Sequence, residues 1–189
     1  MKKLIMIGVV VVVVLIGAWF LSSYNRLVVA SENVDNQWAQ VETQYQRRFD
    51  LIPNLVNAVR GAMLQEQTVF GDLARARENY SGARSNNEKA AAASEVEGAL
   101  SRLLVIMENY PQLRSIEAVT TLMAQLEGTE NRVSVERSRF NDTVKSFNVM
   151  VKRFPLNLLA NLYGYSEKNY FEAAPVAENA PTVDLNITQ

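Results

Sequence analysis

The chain has 189 residues, 19 basic and 20 acidic side chains, and a net charge of −1. It contains no histidine and no cysteine, which excludes imidazole bases, imidazole metal ligands and disulfides. No basic run is present, so the composition predicts no nucleic-acid partner, no metal or other cofactor and, with most common catalytic arrangements removed, no enzyme.

An uncharged apolar segment covers residues 4–21, directly after Lys2 and Lys3. As a helix these residues would span about 27 Å, close to the hydrocarbon thickness of a bilayer. The segment exceeds the apolar core of about 7–15 residues found in signal peptides, and no Ala-x-Ala cleavage site follows it. We therefore predict an uncleaved anchor over residues 1–23, with a cleaved signal peptide as the alternative. The anchor residues we single out are Leu4, Val9, Val14, Trp19, Phe20 and Leu21.

The charges that flank this segment bear on its orientation. Lys2 and Lys3 precede the span, and Arg26 is the nearest basic residue after it. Positive charge is enriched on the cytoplasmic side of a span. The count favours a cytoplasmic N-terminus and an extracytoplasmic body, and the reverse topology stays open.

Large or apolar residues recur every three or four positions after the span, as in a heptad pattern. The positions chosen from this pattern are Leu27, Val34, Trp38, Val41, Tyr45 and Arg48. No helix breaker separates them from the apolar segment, so one helix over residues 4–52, about 70 Å long, is predicted. Pro53 predicts a bend or a short break, because proline disfavours helical geometry in the residue before it.

Three further helices follow in the sequence pattern. They are predicted over residues 54–80, 88–109 and 115–154. The last helix keeps the seven-residue rhythm at Val133, Phe140 and Phe147. Four helices joined by short loops predict an all-α antiparallel bundle over residues 24–154, in which the first and third helices are parallel. The chosen positions of the first and last helices are called the seam residues below.

Residues 155–189 differ in character from the bundle. A short helix is predicted over residues 157–163, stopped by Gly164, with an extended or mobile tail after it. The apolar residues of this region form what we call the tail patch: Leu156, Leu159, Leu162, Tyr163 and Tyr165. The tail patch would dock on the bundle, on a neighbouring subunit or on lipid headgroups, where tyrosine buries its ring and keeps its hydroxyl hydrated.

Arg48 is the one charged seam residue, and a charge inside a bundle needs a partner. Asp50, Glu130 and Glu136 are the candidate partners. Two polar stretches, residues 40–50 and 127–132, either meet and fix the helix register or form solvated helix faces.

Several motifs together resemble those of the LemA family. They are Tyr24-Asn25-Arg26-Leu27-Val28, Trp38-Ala39-Gln40-Val41-Glu42, Asp50-Leu51-Ile52-Pro53-Asn54-Leu55-Val56 and Glu127-Gly128-Thr129-Glu130-Asn131-Arg132. The resemblance implies a bacterial helical bundle anchored at its N-terminus in the inner (cytoplasmic) membrane. It carries over no enzymatic activity and no catalytic residues.

Two functional hypotheses follow. The first is a scaffold that is held in the lipid bilayer, forms homo-oligomers through its bundle and imposes spacing or curvature on the membrane. The second is an adaptor that binds another membrane protein, such as a protease or a signalling receptor.

Overall fold

A computed structural model describes residues 2–171, and within them the chain is all-α, without a strand. The helices are α1 (Lys2–Val59), α2 (Gln67–Gly82), α3 (Asn86–Met107), α4 (Glu117–Lys152) and α5 (Leu156–Leu162), with a 3-10 turn at Pro111–Ser115. The fold class predicted from the sequence is therefore confirmed. The tail predicted beyond residue 171 lies outside the described residues.

The first helix joins the apolar segment to the bundle without a break. It has 58 residues, which corresponds to roughly 87 Å. Its apolar N-terminal part is long enough to cross a membrane, and none of that part is buried within the chain. From Ser23 onward, buried positions recur along one face. The prediction of one continuous helix is confirmed, and this helix is longer than expected.

The predicted break at Pro53 is wrong. The helix continues through Pro53 to Val59, and the next helix begins at Gln67 instead of residue 54. A proline inside a helix costs about 3 kcal/mol. Ile52, Leu55 and Val59 flank Pro53 and are buried in the core, and each such side chain contributes about 1.5–3 kcal/mol on burial. Packing therefore outweighs the local preference, and the chain turns only after Val59.

The long helices α1 and α4 run antiparallel and pack along most of the bundle. Trp38 lies edge to face with Phe140, with ring centroids 5.3 Å apart. Farther along α1, Arg48 meets Glu130, which comes earlier in α4. The antiparallel orientation predicted for the first and last helices is thus observed.

The α2–α3 hairpin packs on the membrane-distal part of this pair. Lys89, at the start of α3, forms an ion pair with Glu42 of α1. Glu97 lies after Lys89 in α3, and Tyr45 lies after Glu42 in α1. The side chain of Arg137 donates hydrogen bonds to both Glu97 and Tyr45. Contacts that advance together along both helices mean that α1 and α3 are parallel, as predicted.

A capping box sets the start of α3. The Ser85 hydroxyl accepts the Glu88 N–H at 3.2 Å, and the Glu88 carboxylate accepts the N–H groups of Arg84 at 2.8 Å and Ser85 at 3.2 Å. These two backbone hydrogen bonds lower the pKa of Glu88. Satisfying free N–H groups at a helix start explains why α3 begins at Asn86, two residues before the predicted start.

Candidate functional site

The predicted anchor residues lie where a bilayer would surround them. Leu4, Val9, Val14, Trp19 and Leu21 are exposed in the isolated chain. Phe20 is half-buried because its ring meets Tyr163, with centroids 6.0 Å apart. Exposed apolar side chains around the whole helix are typical of a segment that contacts lipid.

The short helix α5 lies at the end of this apolar segment. Its C-terminal neighbour Tyr163 contacts Phe20 and also Tyr24, whose ring centroid is 4.7 Å away. Leu159 and Ala160 are buried in the core formed with α1 and α4. These contacts hold α5 at the height where the apolar segment ends and the bundle begins.

The structure divides the tail patch. Leu159 is buried, and Leu156 and Tyr165 are half-buried against the bundle. Tyr165 lies edge to face with Phe147 at 6.3 Å. Leu162 and Tyr163 are exposed. Part of the tail patch therefore docks on the bundle, and its exposed part, Leu162 and Tyr163, remains available for another contact.

The seam residues all lie in the interior of this chain. Buried on α1 and α4 are Leu27, Val34, Trp38, Val41, Tyr45, Arg48, Val133, Phe140 and Phe147. They form the chain's own core between the two long helices. A contact between subunits would therefore use side chains outside the seam.

Arg48 finds its partner among the three predicted candidates. Its Nη2 lies 3.3 Å from Glu130, and its Nη1 donates to the backbone oxygen of Leu126 at 3.0 Å. Asp50 is exposed, and Glu136 instead accepts a hydrogen bond from Gln37 at 2.7 Å. The Arg48–Glu130 pair joins the two polar stretches, whose other side chains are mostly exposed.

Arg137 is a half-buried polar residue at the edge of the core, and the sequence analysis missed it. Its Nε and Nη2 both donate to the Tyr45 hydroxyl, the former at 2.7 Å, and Nη2 also donates to Glu97 at 2.6 Å. Arg137 follows Val133 by four positions and precedes Phe140 by three. It therefore occupies a seam spacing, as Arg48 does on α1, and this spacing could have revealed it.

Burial controls the ionisation of the tyrosines in this cluster. Burial, and secondarily Glu97, raises the pKa of Tyr45 well above its usual range, against the opposing effect of Arg137. Burial and the charge of Glu42 raise the pKa of Tyr80 to about 12. Both hydroxyls stay protonated at physiological pH. The Tyr45 hydroxyl accepts two N–H groups of Arg137, whereas the buried Tyr80 hydroxyl has no partner in the described part of the chain.

An extended segment after α5, residues 165–171, follows the α1–α4 groove; we call it the strap. The Asn148 amide donates to the Lys168 carbonyl at 2.8 Å and accepts its N–H at 2.9 Å. Asn141 makes the same pair of bonds with Phe171, at 3.1 and 2.8 Å. The two asparagines are seven positions apart and so share a helix face, which makes them a double clamp on the strap.

Phe171 ends the strap above the aromatic core. Its ring stacks near Trp38 and Tyr45, both at 6.3 Å, and the Arg137 guanidinium carbon lies 4.4 Å from its centroid. Earlier in the strap, Lys168 Nζ is 2.8 Å from Asp35 of α1. The strap thus covers the Arg137 network and ties α4 to α1.

Replacing Asn148 by alanine is expected to release the strap at Lys168 and to lower the free energy of unfolding by about 1–3 kcal/mol, because two backbone groups lose their partners. Hydrogen exchange at the Lys168 amide would report the release. Asn131→Ala, at an exposed site on α4, is the control. Unchanged exchange at Lys168 would show that the clamp does not hold the strap.

The described part of the chain has a groove that could hold a ligand, but no cluster of acidic side chains. Within residues 2–171, no group of three acidic side chains lies close enough to hold a metal ion. A groove of about 360 Å³ lies between α1, the start of α3 and the strap. Trp38 lines this groove, and its buried indole N–H has no acceptor in the described part of the chain.

Comparisons with known proteins agree with the resemblance stated above. The family model described as LemA family matches residues 37–185. Magnetosome proteins MamQ 1 and MamQ 2 of Paramagnetospirillum magneticum are each 24% identical to the chain over 201 residues, covering 93% of it and 74% of the relative. Magnetosome protein MamQ of Magnetospirillum gryphiswaldense is 24% identical over 195 residues, covering 89% and 71%. The chain belongs to the LemA family, and its N-terminal helix makes it a membrane-associated protein.

Proposed function

We propose that this protein is a non-enzymatic, membrane-anchored helical scaffold that self-associates and organises or shapes the bacterial inner membrane. The observation that carries this proposal is the continuity of α1, which runs from Lys2 to Val59 through both the apolar segment and the bundle. The relatives are named for the magnetosome, and this supports a role at a membrane.

Continuity matters because a helix transmits orientation. A flexible linker would let the bundle turn independently of the span, whereas an uninterrupted helix couples the two. If neighbouring bundles pack together, their spans must adopt a matching tilt and spacing in the bilayer. Following the charges of Lys2 and Lys3, we place the N-terminus in the cytoplasm and the bundle outside it.

The surface proposed for self-association lies at the membrane-proximal end of α1. Val29 is exposed there, beside a groove of about 660 Å³. The groove is lined by Ser22, Asn25, Arg26, Val29, Ala30, Asn33 and Met150. An apolar centre of Val29, Ala30 and Met150 with a polar rim has the composition of a protein interface.

Membrane anchoring favours contact between copies at this surface. Chains inserted in one bilayer share the same orientation and height, so identical faces meet in the membrane plane. Confinement to that plane also raises the effective concentration, which lets a modest surface associate. The occupant that we propose is therefore a second copy of this chain.

We expect Val29→Glu to reduce the particles formed by the full-length protein in lipid nanodiscs or gentle detergent to monomers, because it places a charge at the apolar centre of this contact. Mass photometry with electron microscopy would measure particle size and symmetry. Val105→Glu, at an equally exposed site on α3, is the matched control. If the unsubstituted protein is monomeric at high density in a bilayer, the scaffold proposal is wrong.

The groove beside Trp38 favours a second candidate, an adaptor for another membrane protein. A backbone carbonyl from a partner segment that enters this groove is expected to accept the indole N–H of Trp38, which has no acceptor in the described part of the chain. This candidate predicts a monodisperse monomer that forms a stable one-to-one complex.

A further inference from the structure

Three large apolar side chains remain exposed beside and on α5. Phe154 is 75% exposed, Leu158 60% and Leu162 70%. They are spaced by four positions in the sequence, and the two within α5 lie on one helix face. The opposite face of α5, with Leu159 and Ala160, is buried in the core. Both the inner and the outer face of the short helix are therefore apolar, whereas a surface helix of a soluble protein has a polar outer face.

The height of these side chains along α1 explains the exposure. Tyr163, next to Leu162, contacts Phe20 within the apolar segment and Tyr24 just beyond it. A bilayer around α1 ends at this level, and its headgroup boundary surrounds the helix on every side. An apolar side chain that is held at this height and points away from the bundle meets lipid.

The charges beside the three side chains fit the same surface. Lys152 and Arg153 directly precede Phe154 and are exposed. Lys152 also pairs with Glu167 at 2.8 Å. Basic residues next to exposed leucine and phenylalanine are the composition of segments that lie in the bilayer interface and contact anionic headgroups.

We propose that Phe154, Leu158 and Leu162 form a foot that inserts into the bilayer interface beside α1. The foot gives the chain a second point of membrane contact and fixes the rotation and tilt of the bundle. The inference rests on α1 spanning the bilayer, and it does not depend on self-association.

The test uses the full chain, one copy per nanodisc, in phosphatidylcholine and phosphatidylglycerol. Because the protein has no cysteine, Leu158→Cys and Leu162→Cys can each be labelled singly with an environment-sensitive fluorophore. A lipid that carries a nitroxide near the headgroup is expected to quench both labels several-fold more than a label at Val105→Cys on α3. Aqueous iodide is expected to show the reverse order.

A label at Val14→Cys, inside the apolar segment, separates two failures. If a lipid that carries a nitroxide in the middle of its acyl chain fails to quench Val14→Cys, the span itself is absent and the anchored scaffold fails as well. If Val14→Cys is quenched while Leu158→Cys and Leu162→Cys behave like Val105→Cys, the foot is wrong and the anchor stands. A label on α5 that is shielded from both iodide and lipid nitroxide would mean that protein covers this face, which also overturns the foot.

Discussion

Replacing Tyr45 by alanine is expected to lower the free energy of unfolding by about 3–5 kcal/mol, the cost of removing a large aromatic side chain from a core. Tyr45 is fully buried and contacts Phe49, Tyr80 and Phe171 through its ring. It joins α1, α2 and the strap at one point, so a cavity there would loosen all three.

The milder variant Tyr45→Phe separates the ring from the hydroxyl. It keeps the aromatic packing but removes the acceptor of two Arg137 N–H groups. A hydrogen bond to a charged group contributes about 1.5–3 kcal/mol, and Arg137 is half-buried and keeps Glu97 as a partner. We therefore expect Tyr45→Phe to lie between Tyr45→Ala and the unsubstituted protein.

Chemical unfolding of the full-length protein in detergent, followed by circular dichroism, would measure both variants. Tyr170→Ala, at an exposed position of the strap, is the control and should change little. If Tyr45→Phe and Tyr45→Ala lower the free energy of unfolding equally, ring packing contributes little. The stabilisation would then come from the hydrogen bonds of the Tyr45 hydroxyl.

Inserting seven flexible Gly/Ser residues between Leu21 and Ser22 is expected to uncouple the bundle from the membrane span. In the native chain, α1 holds its end at Val59 about 57 Å above Leu21. With the flexible insert, the mean height of that end should fall and its distribution should broaden. Large ordered particles should also be lost if rigid coupling organises the membrane.

Energy transfer from a label at Arg60→Cys to acceptor lipids would measure this height. The matched control inserts seven helix-forming residues rich in Ala, Glu and Lys, which should raise the label by about 10 Å and keep the particles ordered. Both inserts separate Phe20 from Tyr163, and both are made in a chain with Phe154→Ser, Leu158→Ser and Leu162→Ser, which removes the foot. The difference between the two inserts therefore reports stiffness alone. An unchanged height of the label with the flexible insert would contradict the proposal that α1 couples the bundle rigidly to the span.

Regular spacing allowed much of the bundle core to be predicted, whereas the contacts of single polar residues were not predicted from spacing. The seam residues on α1 and α4 recur every three or four positions, and all of them are buried as the period requires. Arg137 has the same spacing but was not singled out, because a basic residue at a single position is usually solvated. Its contacts with Tyr45 and Glu97 at the edge of the core are visible only in the tertiary structure.

The strap shows a different limit. Asn141 and Asn148 are spaced so that they share a helix face, but asparagine is found mostly on solvated surfaces. The spacing alone therefore does not predict a contact. Their role depends on Lys168 and Phe171, which return to α4 only after α5 has reversed the chain. A local sequence pattern does not predict which helix a later segment of the chain packs against.

The sequence by itself determined the all-α class, the apolar segment and its continuity with the first helix, because these depend on neighbours within a few turns and on the absence of breakers. Tertiary structure alone decided that α1 passes through Pro53, that Glu130 is the partner of Arg48, and that the apolar residues of α5 divide between the core and the outer face. Each of these outcomes depends on packing between segments far apart in the chain, where burial free energy outweighs local preference.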